Sequence, residues 1–177
     1  MTKTFAFLAA TLLLSGCGGA AAPEPRSYDL GVEAPGAKLP PVRVGTVRAT
    51  APFDATDMHY RLAYRNAAEI AAFTASRWAA TPAEMLRKQL QRASAESGKC
   101  TLSVEIQEFS QVFSAKDASD ARLELRASLS SGAARQFSIV EGNAGADASG
   151  GAAALARASN RAVGELGSWL AAQAHCQ

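Results

Sequence analysis

The residues of this sequence best placed for chemistry begin at Cys17, which closes the run Leu14-Ser15-Gly16-Cys17. A branched apolar residue, two small residues and a cysteine form a bacterial lipobox. The small residues let an extended backbone enter a peptidase site, and the thiol becomes the point of lipid attachment. Lys3 supplies a positive start, and Phe5 to Leu14 is a largely apolar stretch. That stretch is about half the ~20 residues needed to span a bilayer and has the length of a signal-peptide core. Residues 1–16 are therefore expected to be a removable signal, with a covalent lipid on Cys17 and no other cofactor. One acyl chain binds a membrane only marginally, at about 0.8 kcal/mol per buried CH₂, and lipobox proteins resemble one another in carrying several. Gly18 follows the cysteine where Asp would favour retention at the inner membrane. The expected location is the outer membrane, with the domain facing the periplasm.

Two further cysteines, Cys100 and Cys176, remain. In an oxidising compartment they form a natural pair. The closed loop of about 75 residues would give roughly 4.5 kcal/mol as an upper value. The spacing lacks Cys-x-x-Cys, so the expected bond is structural. Nucleophilic chemistry finds little material. There is no Gly-x-Ser-x-Gly, and Gly167-Ser168-Trp169 falls within an expected helix rather than on a strand-to-helix elbow. His59 and His175 lack carboxylates at metal-ligand spacing, so no metal site is expected. Gly142-Asn143-Ala144-Gly145 lacks the Gly-Lys-Thr/Ser of a phosphate loop. Glu105 and Glu108, three apart on a strand, would point to opposite faces unless a bulge intervenes. No catalytic residue is assigned, and the chain is not expected to be an enzyme.

Something must position these residues, and the composition says what. The chain has 177 residues, 48% hydrophobic, 19% charged and 7% aromatic, with a net charge of +2. That suits one globular domain with a core of its own. The basic residues are spread along the chain, so a nucleic-acid partner is not suggested. Residues 17–27 form a lipidated tether of small residues and prolines. One domain is expected over 28–177.

Within it, Tyr28–Gly31 and Val42–Val47 read as short strands. Met58, Tyr60, Leu62 and Tyr64 alternate against His59 and Arg61, which is a strand with one buried face. Ile70 to Ser76 reads as its partner. Thr81-Pro82-Ala83-Glu84 carries a capping box and a proline at the first helical position. The helix it opens is expected to stop at Gly98. Leu102, Val104 and Ile106 alternate, and the apolar phase then shifts by one at Phe109 and Phe113, so a bulge is expected near Glu108. Ala121 to Leu129 alternates against Arg122, Glu124, Arg126 and Ser128, and a strand with Phe137 and Ile139 follows. A last helix is expected from about Ala152 to Ala174. Gly164 and Gly167 would weaken it unless another backbone packs close there. The order predicts an α+β fold: a mostly antiparallel sheet with two helices packed on one face.

Several stretches in this order resemble one family. They are Tyr28-Asp29-Leu30 after a lipobox tether, Met58-His59-Tyr60-Arg61, and Ser76-Arg77-Trp78-Ala79-Ala80-Thr81-Pro82 leading into a helix with Leu86 and Leu90. Phe109 and Phe113 before a Lys/Asp/Ser turn complete the set. The chain resembles the ABC-type transport auxiliary lipoproteins, the group containing the paraquat-inducible protein C-like lipoproteins, over roughly residues 28–173. The resemblance implies a non-catalytic outer-membrane subunit of a transporter that pairs an ABC ATPase and permease with a mammalian-cell-entry (MCE) protein. Such systems move lipids or other hydrophobic molecules between the two membranes. The implied partner is the periplasmic MCE component, and some relatives assemble as homo-oligomeric rings. The alternative is a stand-alone envelope assembly or integrity lipoprotein that binds an outer-membrane protein or the cell wall. Arg61, Arg77 and Trp78 are the candidate partner-binding residues, because Trp and Arg are enriched at interface hot spots. Trp78 has a second reading, as a core anchor covering the helix that starts at Pro82.

Overall fold

The computed structural model describes residues 24–31 and 36–176, so Cys17, the stretch 1–16 and the start of the tether lie outside the described residues. Its strands are β1 (Arg26–Tyr28), β2 (Arg43–Ala49), β3 (Asp57–Leu62), β4 (Ala71–Trp78), β5 (Thr101–Phe113), β6 (Ser119–Leu129) and β7 (Ala134–Ala144). Its helices are the one-turn α1 (Ala63–Asn66), α2 (Pro82–Ala93) and α3 (Ala148–Ala171), with a 3₁₀ turn at Ala174–Cys176. β1 takes Arg26 and Ser27 from the segment expected to be tether.

All seven strands join one sheet in the order β1-β4-β3-β5-β6-β7, with β2 also on β5. The α+β class holds, and the sheet is mixed rather than purely antiparallel. β3–β4, β5–β6 and β6–β7 are antiparallel, whereas β1–β4, β2–β5 and β3–β5 are parallel. The reason is the length of β5. β2 runs along its first half and β3 along its second, in the same direction, so the loop between them need not reverse the chain. Thr50 holds that passage by donating its backbone N–H to the Ile106 carbonyl at 2.9 Å. α2 then carries the chain back to start β5, which is the crossover that parallel pairing requires.

One face of the sheet is apolar and meets α2 and α3. Leu102, Val104, Ile106 and Phe109 of β5, Leu123 and Leu125 of β6, and Phe137 and Ile139 of β7 are all buried on it. The register slips between Ile106 and Glu108, which is the expected bulge. α2 opens on the expected capping box: Glu84 N–H donates to Thr81 Oγ1 at 3.3 Å, and Thr81 N–H donates to Glu84 Oε2 at 3.1 Å. Those hydrogen bonds from Thr81 hold the Glu84 carboxyl below its ordinary range. The helix ends at Ser94, not Gly98, because Ser94 both donates its N–H to Leu90 and donates its hydroxyl to the Val42 carbonyl at 2.6 Å. Gly98 instead sits at φ +100 against Pro41, where a Cβ would lie 2.3 Å from the carbonyl oxygen.

α3 starts four residues earlier than expected, capped by Asp147, whose side chain accepts from Gly150 N–H at 2.7 Å. Backbone does pack close to Gly167, where a Cβ would stand 3.2 Å from the Lys38 carbonyl oxygen, but not to Gly164. Beyond α3 the chain turns so that Cys176 is bonded to Cys100, across a sequence separation of 76. The bond ties the end of the chain to the entry of β5. His175 lies beside it, but the two sulfurs are bonded to each other and offer no thiolate to a metal. Among the described residues no helix is long and apolar enough to cross a membrane.

Candidate functional site: the open face of the sheet

The face away from α2 and α3 follows from the same period of two. Where Leu123 and Leu125 point inward, Arg122, Glu124 and Arg126 point outward, with Arg122 and Arg126 exposed. The bulge decides what stands beside them. Without it Glu105 and Glu108 would face opposite ways. With it both carboxylates lie on the open face, and each meets an arginine from an earlier strand.

The first pair forms where β2 runs along β5. Arg48 is in register with Glu105, and its Nε donates to Glu105 Oε2 at 2.8 Å while its terminal nitrogen binds the same oxygen. Gln107 donates to the other carboxylate oxygen at 3.1 Å. The Gln107 bond and then the Arg48 bond hold the Glu105 carboxyl below its usual range. On its other side Glu105 faces Arg126 of β6, and Ser103 faces Ser128 one step away. Together with Thr46 these side chains border an open groove of about 390 Å³. Two arginines flank a fixed carboxylate over a floor that carries two hydroxyls. Such a groove offers hydrogen-bond donors to an amide or hydroxyl, and the Glu105 charge disfavours an anion.

The second pair forms where β3 runs along β5. Arg61 forks onto Glu108, Nε to Oε1 at 3.3 Å and a terminal nitrogen to Oε2 at 3.0 Å, and the Ser110 hydroxyl donates to the same carboxylate. This pair is more sheltered, its side chains 22% and 13% exposed against 70% for Arg48. His59, in register with Ser110, packs beside it. The edge of Phe53 from the β2–β3 loop meets the His59 ring at 5.5 Å. Burial lowers the His59 pKa below its ordinary value, against the opposing influence of Asp57 and Glu108.

The three residues singled out from the sequence separate. Arg61 and Arg77 share the open face, but Arg77 stands opposite Asp57 at the far end of β3, about 13 Å along the strand at ~3.3 Å per residue. Arg77 is exposed, with Ser27 at 3.5 Å. Trp78 points the other way. It is 1% exposed, packed on Phe109 with ring centroids 5.3 Å apart, so the core reading holds and the docking reading does not. Sequence reasoning missed Arg48, Arg126 and Glu108 as members of one surface. The alternation of β6 did expose Arg126, but nothing local indicated that β2 would lie against β5.

No protein-family model matches this sequence, and no curated protein does. Solved structures share its fold. The crystal structure of a Xanthomonas campestris protein of the DUF330 family superposes with a TM-score of 0.69 at 19% identity, over 83% of this chain and 95% of that one. The crystal structure of an uncharacterized protein gives a TM-score of 0.63 at 14% identity, over 84% of this chain and 99% of that one. Both likenesses are of fold.

Proposed function

We propose that this protein is a lipid-anchored outer-membrane subunit that docks the periplasmic MCE component of an ABC-type lipid transport system, and that the open face is its docking surface. The observation that carries the reading is the division of the sheet. The apolar bulk lies under α2 and α3, while the other face presents arginines and carboxylates held in place by one another. A surface of this kind gives specificity and steering without a large exposed apolar patch. The pairs are already formed, so little side-chain ordering is left to oppose binding. The lipobox supplies the second support. It would anchor the chain upstream of β1, at one edge of the sheet, and leave the open face free of the membrane. Confinement to one membrane raises the local concentration at any partner that crosses the periplasm, so modest contacts suffice.

The test is recovery of the MCE-domain protein from solubilised envelopes. Wild-type protein is expected to retain it, and Arg77→Glu/Arg126→Glu to lose most of it while folding normally. These two arginines are exposed and hold no buried partner among the described residues, so the change reads docking rather than stability. Equal recovery by both proteins removes the open face from the reading. Failure of the wild type to retain any MCE protein, when lipidated and folded, removes the transport role itself. Changing Cys17→Ser is expected to abolish lipid labelling and release the protein from the membrane.

A further inference from the structure

One end of the sheet keeps apolar side chains that the core does not take in. β3 ends there at Leu62, beside Phe113 at the end of β5, and α1 leads from β3 toward the start of β4. The β5–β6 turn over residues 114–118 closes the same end. α2 and α3 pack chiefly on β2, β5, β6 and β7, so the corner made by β3 and β4 is only half-covered. Ile70 and Phe73 at the entry of β4 are half-buried. The half-buried Tyr60 ring lies 4.6 Å from that of Phe73 and 6.0 Å from that of Phe113, centroid to centroid. Beside them α1 buries none of its residues, and Tyr64 is 41% exposed. Arg65 and Lys116 are exposed at this end, with no ion-pair partner among the described residues. Glu69 and Asp117 accompany them, so charge does not single out an anionic partner.

Where the chain enters the fold indicates what meets this end. β1 runs parallel to β4, with Arg26 in register with Ser76, so both strands start at the same end of the sheet. The chain therefore reaches β1 from the side of Phe73 and α1. From Cys17 to Arg26 it spans at most about 30 Å, at ~3.3–3.6 Å per residue. A lipid on Cys17 keeps the α1 end closest to the bilayer, while the β6–β7 hairpin lies about 35 Å away along β6 at ~3.4 Å per residue. The side chains at the α1 end suit that neighbour. Tyrosine joins an apolar ring to a polar tip, and Arg and Lys lay apolar stems along such a surface with their charges in water. These are the residue types that settle at a bilayer–water interface.

We propose that the α1 end of the domain rests in the headgroup layer of the membrane that holds its anchor, with Tyr64 inserted. The inference rests on the lipid-anchor reading of Cys17 and adds an orientation to it. The strands stand away from the bilayer, and the open face is presented sideways. The anchor confines the patch to the membrane, so a shallow contact suffices.

The experiment uses full-length lipidated protein in phosphatidylethanolamine–phosphatidylglycerol vesicles that contain a nitroxide lipid. An environment-sensitive fluorophore is placed on Ala68→Cys, exposed just after α1, or on the control Ala134→Cys, exposed beside the β6–β7 hairpin. The Ala68 label is expected to shift to the blue and lose at least half of its emission to the nitroxide, and to do so equally at high salt, because the contact is not ionic. The Ala134 label is expected to do neither. Adding Tyr64→Asp to Ala68→Cys is expected to return the emission to that in water, and since Tyr64 is exposed the fold is not at stake. Protein that carries lipid and floats with the vesicles but keeps the Ala68 label in water overturns this inference alone. Equal quenching at the two positions overturns it as well, because the domain would then lie flat. Protein without lipid on Cys17 removes the anchor reading and this inference with it.

Discussion

The two halves of this molecule are built by different rules. From β5 onward, neighbours in sequence are neighbours in space: β5, β6 and β7 form a meander of long strands, and α3 folds back on it. Nearly every inward residue there is fully buried, from Leu102 to Leu170. Before β5 the strands are shorter and half-buried, and apart from the antiparallel β3–β4 pair they reach their partners through parallel pairings distant in sequence. The C-terminal half holds itself together, and the N-terminal half is hung on it through the free edge of β5. The difference teaches that the open face of the sheet is a joint product. Its carboxylates come from the self-contained half and the arginines that clamp them from the hung half, so the face exists only when both are folded.

Breaking the C-terminal half is expected to break the whole. Replacing Cys100 and Cys176 together with alanine removes the link between the entry of β5 and the chain end, and is expected to cost about 4 kcal/mol in urea denaturation. The two tryptophans report one half each, Trp78 before β5 and Trp169 after it. Single-tryptophan forms are expected to show coincident transitions with and without the disulfide. Two separated transitions would show that the N-terminal half stands alone.

Comparable truncations in the two halves are expected to differ. Leu123→Ala, in the centre of the meander, should cost about 3 kcal/mol through lost burial and the cavity left behind. Phe73→Ala, half-buried against Tyr60 at a centroid distance of 4.6 Å, should cost clearly less. Equal losses by chemical denaturation would erase the distinction. Smaller again is the cap of α2, the helix that carries the chain from one half to the other. Thr81→Ala is expected to cost about 1 kcal/mol, and Thr81→Ser to recover most of it.

The smallest expected effect is a pH dependence at the seam, where the β2–β3 loop meets the outer side of β5. His59 is buried enough that folding lowers its pKa, so the unfolded chain takes up a proton first as the pH falls. Stability is therefore expected to be full above about pH 6.5 and to decline as acid is added through and below that value. His59→Asn should flatten the decline, as measured by midpoint shifts between pH 7.5 and 5. A decline of the same size in the variant would assign the effect to other groups.

The sequence by itself determined what is local. Alternation in 101–113 and 119–129 set which side chains face the core, and the phase shift before Phe109 announced the bulge. Thr81, Pro82 and Glu84 marked the start of α2 because a helix must satisfy its first N–H groups nearby. Cys100–Cys176 followed from the expected lipidation of Cys17 and export, which would leave two thiols in an oxidising compartment with only each other. The tertiary structure decided the choice of partners. Parallel pairing of β2 and β3 with β5 leaves no mark in either strand, because the backbone groups that pair are the same in every residue. That choice alone brought Arg48 to Glu105 and Arg61 to Glu108. It also sent Trp78 inward while its neighbour Arg77 faced out, because β4 is held between β1 and β3 and successive side chains of a strand must take opposite faces.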